Sequence, residues 1–129
     1  MIVLDTHAWV WWQGRRAKLG RSAARAIDRA DRIGIPAIVV WEVANKADRR
    51  RIDLDRPYDL WIDEALAQDR RVEVLPLAPR ISIEAARLSW EHRDPADRLI
   101  VATARVHAAP LVTSDEAIHE SGLVRCVWD

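Results

Sequence analysis

Four acidic residues stand where a carboxylate can do chemistry, although they lie far apart in the chain. Asp5 ends the apolar run Met1-Ile2-Val3-Leu4, which reads as a strand delivering its carboxylate to a sheet edge. Asp115 ends a second such run, Pro110-Leu111-Val112-Thr113-Ser114. Asp97 lies in His92-Arg93-Asp94-Pro95-Ala96-Asp97-Arg98. There Asp94 is suited to cap a helix, Pro95 to open it and Asp97 to reach back as in a capping box. Glu42 stands among Val39, Trp41 and Val43, after Pro36, in a segment that reads as a helix; β-branched Ile38, Val39 and Val40 leave a strand open for part of it. An acid with such neighbours needs a partner, and Lys46, one turn on, can supply it. Each acid also has a plain reading, Asp5 as the cap of the next helix and Glu42 as half of a helix-face ion pair.

The elements that would position these acids alternate. After Asp5, Ala8-Trp9-Val10-Trp11-Trp12 reads as a brief helix ending at Gly14, with Trp9 and Trp12 on one face, and Ser22 is expected to cap a helix carrying Ala23, Ile27 and Ala30. Arg32 to Ile35 reads as a second strand. Tyr58, Trp61, Ile62, Ala65 and Leu66 follow an unbroken helical spacing behind Pro57. A third strand is expected over Val72 to Leu77 and a helix from about Arg80 to His92. The segment after Pro95 is apolar nearly all round, as a buried helix is, and Val124 to Trp128 reads as a closing strand. This alternation predicts a parallel α/β sheet with helices on both faces. In such a sheet the strand C-termini and helix N-termini share one edge, so the four acids converge by topology. Crowded carboxylates repel and stay ionised only beside a cation, which points to a hard divalent ion, Mg²⁺ or Mn²⁺. A lone Cys126 and scattered histidines argue against zinc.

Composition narrows the classes. A chain of 129 residues is expected to be one domain, residues 1–129, with a single core. No apolar run approaches membrane-spanning length and no signal-peptide pattern opens the chain, so a cytoplasmic protein is expected. The 20 basic and 20 acidic residues cancel, which argues against indiscriminate coating of nucleic acid while leaving room for a local basic patch. Among the basic residues only Lys18 and Lys46 are lysines; the others are arginines, suited to bidentate grips. Seven tryptophans and no phenylalanine point to aromatic surface and hence to partners.

Leu4-Asp5-Thr6-His7-Ala8, Trp41-Glu42-Val43 with Lys46, His92 to Ile100 and Val112-Thr113-Ser114-Asp115, in this order and spacing, resemble the PIN-domain ribonucleases, specifically VapC-type toxins of toxin–antitoxin pairs. The resemblance implies a three-layer α/β/α fold with a mostly parallel sheet of about five strands. It implies that Asp5, Glu42, Asp97 and Asp115 form an acidic quartet holding Mg²⁺, with Mn²⁺ as a substitute, and that RNA is cut endonucleolytically by a metal-activated water. Thr6, Asp94, Thr113 and Ser114 would support the ligands. Lys46, Arg98 and the basic loops at Arg15-Arg16 and Arg49-Arg50-Arg51 would contact RNA phosphates, with His7 a lesser candidate. A homodimer and a cognate antitoxin are implied as partners. Tyr58, Trp61, Ile62 and Leu66, with Trp9 and Trp12, are expected to edge a groove receiving an apolar segment of such a partner, unless this helix simply covers a sheet face. Pro36-Ala37 departs from the serine that leads into the Glu-bearing helix in many relatives. The competing reading is a PIN-fold interaction module with little or no catalysis. Receiver domains would need a lysine after a late strand, and haloacid-dehalogenase-like phosphatases an Asp-x-Asp where Asp5-Thr6-His7 stands.

Overall fold

The computed structural model describes residues 1–129. Strands β1 (Ile2–Leu4), β2 (Ile33–Pro36), β3 (Val72–Leu75), β4 (Leu111–Val112) and β5 (Cys126–Val127) form one sheet in the order β3-β2-β1-β4-β5. Every pairing is parallel. β1 is apolar and buried at every position, as a strand covered on both faces must be. From β1 the chain order runs outward to β2 and β3 on one side and to β4 and β5 on the other. The reversal between β1 and β4 is the switch point at which the carboxyl ends of parallel strands leave a crevice. The third and fourth strands end earlier than their apolar runs; Thr113 still donates its N–H to the Val127 carbonyl at 3.2 Å, and Ser114 and Asp115 extend beyond the paired edge.

Helices α1 (Thr6–Gly14), α2 (Arg21–Arg29), α3 (Ala37–Asp48), α4 (Tyr58–Ala67), α5 (Pro79–Arg87), α6 (Pro95–Val106) and α7 (Glu116–Ser121) connect the strands. Ile38 to Val40 are helical, which closes the strand alternative. α6 buries Ala96, Ile100, Val101, Ala102, Thr103 and Ala104, in keeping with its apolar circumference. Two expectations need correction. Ser22 does not cap α2; Gly20 does, without a side-chain bond, and Trp128 carbonyl oxygen accepts from the Ala23 N–H at 2.7 Å. A Cβ on residue 20 would lie 2.1 Å from that same oxygen, so glycine is what lets the C-terminal tail close over the start of α2. The helix expected to reach His92 stops at Arg87, and the chain continues without regular structure to α6.

The aromatic groove is a third correction. Trp9, Trp12 and Trp61 are 0%, 8% and 4% exposed, and Trp9 meets Trp61 edge to face at 5.1 Å. α4 lies against α3, and these indoles fill the layer between the helices and the sheet, where truncating Trp61 to alanine would cost about 3–5 kcal/mol. Ile62 and Leu66 are half-buried against the same core, and only Tyr58 of the expected set is exposed. The exposed tryptophan of the molecule is Trp41, on the outer side of α3.

Candidate active site

Asp5 occupies the junction between β1 and α1. Its backbone is still extended while its Oδ1 accepts from the Ala8 N–H at 2.9 Å, so it caps α1 and faces the crevice at once. Only 8% of the residue is exposed. Burial pushes its carboxyl up to about 6; the Thr113 hydroxyl and the Ala8 N–H oppose that shift, while Asp115 and Asp97 add to it. Asp115 repeats the arrangement after β4, accepting from the Ile118 N–H at 3.2 Å as the cap of α7, with its own N–H on the Thr113 hydroxyl at 3.1 Å. Thus the capping role and the site-facing position coexist in one residue, because a cap engages a single carboxylate oxygen.

At the start of α6 Asp94 is the cap, accepting from the Ala96 N–H at 3.0 Å. Asp97 does not reach back to complete a capping box. Its Oδ2 instead meets His92 Nε2 at 2.7 Å. Burial raises the Asp97 carboxyl, His92 opposes the shift, and Asp94 and Asp115 reinforce it. Glu42 comes from the second turn of α3, which begins at Pro36 without a side-chain cap. Thr6 hydroxyl donates to Glu42 Oε1 at 2.5 Å, and Lys46 Nζ stands 3.8 Å from Oε2.

These side chains line one cavity of about 210 Å³, together with His7, Ile100 and Ser114. Asp5, Glu42, Asp94, Asp97 and Asp115 bring five carboxylates to it against Lys46. The ion pairs made by these acids are Lys46 on Glu42 and, when protonated, His92 on Asp97; Asp5 has none. Burial and Lys46 hold the His7 imidazole below its ordinary range, which keeps it from supplying the missing positive charge. Carboxylate and hydroxyl oxygens around an uncompensated negative pocket are a donor set for a hard divalent cation, so the residues present fit Mg²⁺ or Mn²⁺.

Arg98 is not at the cavity. Its Nε and Nη2 donate to the Ala85 carbonyl at 3.1 and 2.9 Å, Nη2 also to Leu88 at 3.0 Å, and Nη1 to Trp90 and His92 at 2.7 and 3.0 Å. With all five guanidinium N–H groups engaged inside the protein, Arg98 has none left for a phosphate. Arg71 does the same to the end of α2, holding the Ile27 and Ala30 carbonyls at 2.8 and 3.0 Å. Lys46 remains at the cavity wall. Of the basic loops, Arg16 is paired to Asp28, while Arg15, Arg49, Arg50 and Arg51 are exposed. His92 is the neighbour of the acids to which sequence reasoning assigned no role. Its only signal was its place in the Asp94-Asp97 motif.

Residues 2–122 match the PIN domain. The chain is 35% identical over 117 residues to Ribonuclease VapC22 of Mycobacterium tuberculosis, spanning 91% of this chain and 88% of that one. VapBC2 from Rickettsia felis, bound to a DNA fragment from its promoter, superposes with a TM-score of 0.73 at 19% identity over the whole of both chains. DNA-bound VapBC from Salmonella typhimurium gives 0.72 at 19% identity over 98% and 97%. Mycobacterium tuberculosis VapC20, a sarcin–ricin-loop-cleaving toxin, gives 0.68 at 16% over 96% and 97%. At such identities these structures speak for a common fold.

Proposed function

This chain belongs to the PIN-domain family, and on that premise we propose that it is a divalent-metal-dependent endoribonuclease, the toxin of a toxin–antitoxin pair. The observation that carries the reading is the gathering of Asp5, Glu42, Asp97 and Asp115 in one pocket whose negative charge the protein leaves uncompensated. When bound, Mg²⁺ or Mn²⁺ supplies a water nucleophile at neutral pH and neutralises charge on the phosphate being cut. The chain's own residues prepare that step. Asp5 and Asp115 are presented on strand ends and locked by their caps; Thr6 fixes Glu42 through Oε1; Lys46 offers a cation at the wall for an RNA phosphate. With Asp5 titrating near 6, protons compete with the metal below that pH.

A relative named as a ribonuclease and neighbours solved as toxin–antitoxin complexes support the toxin reading, with a cognate antitoxin and a second copy of the chain as partners. A basic side chain of the antitoxin entering the acidic pocket would block the metal. No helix is long and apolar enough to cross a membrane, which suits action in the cytoplasm. The test is cleavage of RNA by purified protein with Mg²⁺, with EDTA, and by a variant carrying asparagine or glutamine at all four acids. Cleavage restricted to the wild type with metal is expected. Equal cleavage by the fourfold variant, or none by any sample, would leave an interaction module as the better account.

A further inference from the structure

Two of the pocket's acids are held by a neighbouring side chain: Glu42 by Thr6 and Asp97 by His92. The second contact is built differently from the first. His92 sits in the segment between α5 and α6, which has no regular structure of its own. The segment is nevertheless tied down, because Leu88, Trp90 and His92 each give a carbonyl to Arg98, the residue directly after Asp97. A tight turn, in which the Trp90 N–H donates to the Leu88 carbonyl at 2.9 Å, shortens the segment and brings all three carbonyls within reach of one guanidinium. Trp90 completes the support by stacking on the His92 ring, at 4.5 Å and 23° between planes.

The contact also decides between two fates for Asp97. As the third residue of a helix capped by Asp94, it has a ready alternative partner in the Asp94 backbone N–H, the bond that a capping box would make. In the structure His92 holds Oδ2 instead, and Oδ1 has no hydrogen bond to the protein. With Asp97 ionised, Nε2 is the donor.

We propose that His92 is the positioning residue of the metal site: its Nε2–H, backed by Trp90 and by the Arg98 clamp, holds the Asp97 carboxylate out of the capping-box orientation and keeps Oδ1 free to coordinate the cation. The proposal rests on the metal-dependent reading of the acidic pocket. Such outer partners of metal ligands fix ligand orientation, and losing one costs about 10–100-fold in metal affinity or activity.

The experiment titrates Mn²⁺ into the full-length protein by calorimetry without RNA, and follows cleavage and thermal stability in EDTA separately, for His92→Ala, His92→Gln and His92→Asn. His92→Ala should weaken Mn²⁺ binding about 10–100-fold and lower kcat alongside, with KM for RNA little changed. His92→Gln can place an amide N–H on Asp97 and should recover most of the affinity. His92→Asn is too short and should not. This contrast between Gln and Asn stands even if the alanine variant fails to fold. Mn²⁺ affinity unchanged in His92→Ala, or Gln no better than Asn, overturns the positioning role; the second result would assign His92 as a ligand itself, since its ring nitrogen lies within 4.8 Å of Asp94 and Asp97 oxygens. Wild-type protein that binds no Mn²⁺ would overturn the metal-dependent function as well, and so is distinguishable from failure of the His92 role alone.

Discussion

Asp5 and Asp97 face the same cavity, but the chain holds them by opposite means. Asp5 is fixed within four residues, by the end of β1, the beginning of α1 and the Ala8 N–H. Asp97 is fixed by a histidine on a segment without secondary structure, which is itself fixed by an arginine reaching back to α5. Burial raises both carboxyls, yet at Asp97 the His92 contact is the leading opposing influence. An acid on a strand end is placed chiefly by its own backbone, and at Asp5 the Thr113 hydroxyl and the Ala8 N–H offset only part of the cost of desolvation. One held by a side chain can be placed more freely and is partly compensated.

The sharpest way to break this comparison is to neutralise each acid. Asp5→Asn and Asp97→Asn should each lower Mg²⁺-dependent RNA cleavage by more than the ~100-fold that marks loss of an outer partner, with the fold intact by circular dichroism. Near-normal turnover in either variant would remove that residue from the metal site.

Next in size is the clamp. Arg98→Ala deprives the Ala85, Leu88, Trp90 and His92 carbonyls of their donor and should destabilise the protein by about 2–4 kcal/mol in urea denaturation. An unchanged denaturation midpoint with weaker, less salt-dependent RNA binding would instead return Arg98 to the role of phosphate contact.

The pH dependence separates the two acids more finely. Asp5 titrates near 6 in the folded protein against an ordinary 3.8, so between those values the folded state holds a proton that the unfolded chain releases. Stability of the metal-free protein therefore falls as pH rises through this window, by on the order of 2–3 kcal/mol in full. Asp5→Asn keeps the cap and removes the titration. Its melting temperature in EDTA should exceed wild type at pH 8, with the gap closing towards pH 4. Asp97→Asn should show the same sign and a smaller gap, since it also gives up the charge that His92 favours. A gap for Asp97→Asn as large as that for Asp5→Asn would dissolve the contrast drawn between them.

The smallest effect concerns Asp94. As a cap it should cost about 1 kcal/mol on replacement by alanine and almost nothing on replacement by asparagine, which caps as well. Loss of cleavage by Asp94→Asn as complete as that of Asp97→Asn would make it a metal ligand.

Much of the fold was legible in the chain because its signals are local. Apolar runs ending on Asp5 and Asp115, Pro95 behind Asp94, and the helical spacing of Tyr58, Trp61, Ile62, Ala65 and Leu66 each report what a few consecutive residues do. Alternation then led to a parallel sheet, and a parallel sheet puts strand ends and helix starts on one edge, which is why the acids could be expected to meet. What only the tertiary structure decided is who covers whom. Helical spacing shows that one side of α4 is apolar but not that Trp9 already waits beneath Trp61, so a face suited to a partner turned out to be core. Arginines suited by type to phosphate hold backbone carbonyls at Arg71 and Arg98, and Gly20 serves the Trp128 carbonyl where Ser22 was the better cap by residue type. Asp97 had a partner in its own helix and took His92 instead. In every such case the deciding contact joins groups whose partners no periodicity names, because periodicity describes the faces of one element and packing chooses between them.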